Sequence, residues 1–163
     1  MFKQESDDFP EEIQKYGCYL FCLLRMCEIV SKRDLTVAQA IDIYTYAKLT
    51  MFLGEDKIRR PILGAKCSVQ SPDKLCTYAL TLLGSANSIS QVGMLSNGKE
   101  LFWGWANKPP YNKPEFYALE YQTYGEIGHH YVLANRAKET IYDPSEHDYT
   151  MRPLLGGLLH KAT

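Results

Sequence analysis

A histidine that is to activate a thiol needs an acid to orient it and a thiol within reach. The stretch "GHHYVLANRAKETIYDP", residues 128–144, offers the acid. Two apolar runs, 128–135 and 138–143, flank a short turn, which is the pattern of a β-hairpin. A two-residue turn at Arg136-Ala137 pairs Asn135 with Lys138, and a four-residue loop over 135–138 pairs Ala134 with Glu139. Both give one register, and it sets His130 directly opposite Asp143. Opposed side chains share a face with Cβ atoms roughly 4.5–5.5 Å apart, close enough for an imidazole–carboxylate hydrogen bond. His129 alternates to the other face. A three-residue loop would shift the register by one and bring His129 opposite Asp143 instead. The turn lacks Asn-Gly or Asp-Gly, so its type stays open. Such a pair can also be purely structural. Adjacent histidines can ligate metal, but neighbours on a strand point apart and do not readily share an ion. No metal and no cofactor is expected.

The chain has five cysteines, Cys18, Cys22, Cys27, Cys67 and Cys76. The odd number and the lack of a secretory signal argue against a disulfide framework, and no Cys-x-x-Cys pair suggests a zinc ribbon or a redox centre. Cys18 stands apart. It follows Gly17 at the start of an apolar helix, where the helix dipole and free N–H groups favour a thiolate. Cys22 and Cys27 lie deeper in that helix and read as packing residues. Cys67 and Cys76 lack this setting and read as structural.

The elements that must position these groups follow from the periodicity. Residues 16–31 are apolar at almost every position, so they predict a central helix buried on all sides. An amphipathic helix is expected over 37–49 with Thr36 as its N-cap. A third is expected over 72–83, with Ser71 as N-cap, Pro72 first and Gly84 as the stop. Strands are expected at 89–92, 101–105, 116–122, 128–134 and 139–142. Helices first and strands afterwards predict an α+β domain, an antiparallel sheet packed on the central helix. At 163 residues the chain suits one domain, 1–163.

The order of a cysteine opening an N-terminal helix, a late histidine on a strand and an Asp-Pro ending the next strand resembles the papain-like cysteine peptidases. The likeness is greatest to the double-glycine (bacteriocin-leader) peptidase-like group. It is carried by "YGCYLFCLLRM" (16–26), "GHHYVLAN" (128–135) and "IYDP" (141–144). The resemblance implies a papain-like fold and a catalytic triad of Cys18, His130 and Asp143. It also implies a thiol-dependent hydrolase that cleaves a peptide or amide bond in a peptide or protein substrate. The group places an oxyanion-hole glutamine ahead of its cysteine, and Gln14 is the counterpart. Gln14 precedes Cys18 by only four positions, and Tyr19 and Leu20 follow where small residues are usual. Two other readings stand beside this one. One is an inactive papain-like module that binds a peptide or protein. The other is a peptidoglycan amidase or endopeptidase of phage type. The resemblance implies a bacterial or phage protein.

"WGWANKPPYNKP", residues 103–114, could wall a cleft, with Trp103, Trp105 and Tyr111 offering flat surfaces to a substrate. "LLGGLL", 154–159, carries a Gly-Gly of the kind double-glycine peptidases cut after, so self-processing is conceivable, although Gly-Gly more often ends an element. The net charge of -1 excludes the broad basic footprint of a nucleic-acid binder. No stretch is apolar and long enough to span a membrane, and the polar, acidic start does not resemble a signal peptide. A cytoplasmic location without membrane attachment is expected.

Overall fold

The helix expected over 16–31 is interrupted at Gly17. The computed structural model describes residues 2–53, 59–123, 129–145, 148–149 and 151–163. In it α1 spans Glu11–Tyr16 and α2 spans Cys18–Ser31. Gly17 N–H donates to Ile13 O at 2.8 Å, and Gly17 O accepts from Phe21 N–H at 2.9 Å. A Cβ at residue 17 would lie 2.6 Å from Ile13 O, so the two helices can meet this closely only through glycine. The break makes Cys18 the first residue of α2.

α2 is the centre of the larger core. Leu20, Phe21, Leu23, Leu24 and Met26 are each exposed by 1% or less. Its buried acid, Glu28, accepts from Leu35 N–H at 2.9 Å and sits 3.5 Å from the Arg25 guanidinium, so the charge is compensated. Around it lie α3, Val37–Leu49, and α4, Pro72–Leu82. Thr36 caps α3 as expected, in a reciprocal pair with Gln39. Pro72 opens α4, and Gly84 at φ +67° follows its end. The Ser71 side chain makes no cap bond, unlike the expectation.

The sheet is antiparallel, in the order β4-β3-β8-β5-β6-β7. The strands are β3 Ile89–Ser96, β4 Lys99–Phe102, β5 Phe116–Gln122, β6 His129–Ala134, β7 Thr140–Tyr142 and β8 Leu154–Ala162. A separate antiparallel pair, β1 Met51–Leu53 and β2 Arg59–Pro61, lies between α3 and α4. β5 matches its expected bounds. Gly128, expected to open β6, lies outside the described residues. β5 and β6 alternate between two cores. Phe116, Ala118 and Leu133 face the α2 side, while Tyr117, Leu119, Val132 and Ala134 join Val92, Leu95 and Leu159 in a smaller cluster. The fold is α+β. Among the described residues no helix is long and apolar enough to cross a membrane.

β8 was not anticipated, and it lies inside the sheet between β3 and β5. The Gly-Gly of "LLGGLL" neither ends an element nor forms an open tail. A Cβ on Gly156 would lie 2.7 Å from Leu95 O, and one on Gly157 would lie 2.8 Å from Ala118 O. The strand can sit between its neighbours because these positions carry no side chain. A peptide bond held there is not presented for self-processing. Gly157→Ala is expected to destabilise the fold by about 1–3 kcal/mol, read as a lower urea midpoint with an unchanged slope.

Candidate active site

The site depends on how β7 returns along β6. The hairpin loop has three residues, not two or four: Asn135 N–H donates to Glu139 O at 2.9 Å, with Lys138 at φ +63°. Asn135 Oδ1 closes the loop by accepting from Ala137 and Glu139 N–H, each at 3.0 Å. This is the loop length that would have turned His129 toward Asp143. A second irregularity cancels the shift. Ala134 pairs with Thr140 but Leu133 pairs with Tyr142, so Ile141 is a bulge. Two one-residue shifts restore the parity of faces, and His130 returns to the side of Asp143. The register expected from sequence is therefore wrong by two residues, and His130 with Asp143 is a diagonal pair rather than a directly opposed one.

His130 Nε2 and Asp143 Oδ1 lie 2.7 Å apart. Asp143 Oδ1 also accepts from Ser145 N–H at 2.9 Å, a local turn that fixes the carboxylate ahead of Pro144. His130 is 3% exposed, and the Tyr149 ring packs on it at 4.5 Å between centroids. Nε2 is engaged by Asp143, and Cys18, which borders the same cavity as His130, favours the imidazolium. Burial opposes the imidazolium, but the bonds and charges of Asp143 and Cys18 outweigh it and raise His130 from 6.5 to about 9. His129 takes a different acid, with Nδ1 2.6 Å from Glu120 Oε1. The adjacent imidazoles thus serve separate carboxylates.

Sequence reasoning missed the N-terminal segment. Lys3 Nζ donates to Asp143 O at 2.7 Å and to Ser145 O at 3.1 Å, and Gln4 N–H donates to Pro144 O at 2.8 Å. These bonds clamp the turn that holds the acid. Phe2 and Phe9 anchor the clamp on Phe21 of α2, with centroids 6.1 and 4.9 Å away. The only sequence signal was two phenylalanines in a polar stretch. Tyr149 was missed as well, and nothing around it in the sequence marks it.

Cys18 is 8% exposed and lines two cavities, of about 310 and 210 Å³. Gln14 reaches the smaller one, with His130. Its Nε2 donates to Phe9 O at 2.8 Å, so one of the two amide N–H groups is taken. Cys67, read as structural, borders the larger cavity. Burial pushes its thiol up to about 12 and pushes Cys22 well above the ordinary range, so neither is suited to act as a nucleophile. Trp103, Trp105 and Tyr111 border neither cavity. The tryptophans follow β4, the edge of the sheet opposite β7, and Trp105 stacks edge-on with Tyr111 at 5.3 Å. They do not form a wall beside Cys18.

No family model matches the chain, and no curated protein or solved structure matches it.

His130 is expected to titrate near 9 by NMR of its ring nitrogens. Asp143→Asn should lower that value by roughly one to three pH units. Because the folded value lies above 6.5, the His130 charge stabilises the fold fully below pH 6.5, and that contribution is lost as pH rises through 9.

Proposed function

We propose that this chain is a papain-like thiol hydrolase, of the double-glycine peptidase-like kind, that cleaves a peptide or amide bond. The observation that carries the reading is a buried imidazole held 2.7 Å from Asp143 and bordering one cavity with a cysteine that opens a helix. His130 holds the thiol proton, and Cys18 Sγ attacks the substrate carbonyl. The carbonyl becomes a tetrahedral oxyanion. α2 has no side-chain cap, so its first-turn N–H groups are available to that charge. Gln14 can add a donor from the same cavity. His130 then gives its proton to the leaving nitrogen as the C–N bond breaks. Water, deprotonated by the same imidazole, hydrolyses the thioester, and Asp143 keeps the ring oriented throughout.

An acyl donor of low specificity tests this directly. After mixing with p-nitrophenyl acetate, intact-mass and peptide spectra should show one rapid acetylation, on Cys18. Cys18→Ser should abolish it, and His130→Ala should slow it by about 10²–10⁴-fold. Acetylation spread over surface lysines at equal rates in all three proteins would exclude the hydrolase and leave a module that only binds.

A further inference from the structure

The two cavities at Cys18 differ in a way that orients the substrate. Cys18 borders both, but His130 borders only the smaller. The imidazole must deliver its proton to the departing nitrogen, so the leaving group belongs on its side. The acyl portion then occupies the larger cavity, among Tyr16, Tyr19, Tyr131 and Leu158.

The lining of the smaller cavity shows what that leaving group offers. Gln4 is 6% exposed and Thr123 is 9% exposed, yet Gln4 Oε1 and Thr123 Oγ1 have no hydrogen-bond partner among the described residues. Both residues border this cavity. Gln4 Nε2 is occupied, donating to Gln14 O at 3.0 Å, so the orphaned end of the amide is its acceptor. A buried polar atom left unpaired costs about 1–3 kcal/mol, and two beside one catalytic pair call for a ligand that satisfies them. Glu5, which accepts from Ser145 Oγ, adds a carboxylate to the same wall. The three basic residues there are already engaged: Lys15 lies 2.6 Å from Glu11, His129 is paired with Glu120, and His130 is paired with Asp143.

We propose that the smaller cavity is the leaving-group site and that it selects an amine whose adjoining group donates hydrogen bonds, such as a following amide N–H, over one bearing a free carboxylate. This rests on the hydrolase reading and assigns the selection to two side chains outside the catalytic set. Gln4 Oε1 and Thr123 Oγ1 accept the donors, and the acidic wall disfavours a carboxylate.

The reverse of the leaving step tests it. Acetyl-Cys18, made with p-nitrophenyl acetate, is offered glycinamide or glycine. The amine nitrogen attacks the thioester carbonyl, the C–N bond forms, the C–S bond breaks, and the amine proton passes to His130. Each amine's yield over hydrolysis is normalised to its reaction with a free acetyl thioester at the same pH. The normalised yield for glycinamide should exceed that for glycine by at least about tenfold, and Gln4→Leu or Thr123→Val should shrink that preference severalfold. Equal normalised yields in the wild-type protein would overturn the proposal while leaving the hydrolase intact. Failure to form acetyl-Cys18 at all would overturn the hydrolase, and this proposal with it. The comparison between amines needs no variant, so a Gln4 variant that misfolds does not decide the outcome.

Discussion

The parity of faces on the β6–β7 hairpin is the constraint from which the site follows. A strand presents its side chains alternately, so a single-residue shift would hand Asp143 to the wrong histidine. This hairpin makes that shift at its loop and reverses it at Ile141. The consequence is a 2.7 Å contact between a buried imidazole and a carboxylate. Everything chemical about the site depends on that contact. Without it, only Cys18 would offset the burial that opposes the imidazolium, and the ring would lose the bond that orients it.

The rest of the molecule brings the thiol to that imidazole and keeps the acid in place. Gly17 stops α1 one residue before Cys18, so the sulfur lies at a helix start and not within a helix. The apolar surface of α2 fastens this start against β6. From the other side, residues 2–5 bind the turn at 143–145 through Lys3 and Gln4. The first residues of the chain and the acid, far apart in sequence, thus form one structural unit. A loop at 64–68 closes the larger cavity. Its Lys66 and Cys67 both take positive φ, and Glu12 anchors it by accepting from Lys66 N–H at 2.7 Å. Lys48 Nζ, 2.6 Å from the Glu12 carboxylate, the Tyr44 hydroxyl and that N–H together hold Glu12 down at about 2.

Much of this was legible in the sequence, because α2, α3 and α4 carry unambiguous apolar patterns and caps. The pairing of His130 with Asp143 was legible too, but for a reason that proved incomplete. Counting residues across a turn assumes an unbroken ladder, and a bulge such as Ile141 leaves no mark in composition. β8 was hidden because glycine has little intrinsic preference for strands. Its place is set by how closely Leu95 and Ala118 approach, which only the folded sheet reveals. The N-terminal clamp was hidden because its bonds run between backbone groups and a lysine, residue types found on any surface. Trp103 and Trp105 follow β4, at the edge of the sheet opposite β7, a placement that their residue types do not reveal.

The central claim is that Cys18 and His130 act as one ionised pair. The most direct measurement is the rate at which iodoacetamide alkylates Cys18 from pH 4 to 9, followed by peptide mass in the wild-type protein and in His130→Ala. The account predicts fast labelling below pH 7 that disappears in the variant. Labelling that rises in both proteins as for an ordinary thiol, with a midpoint near about 8.5, would contradict it.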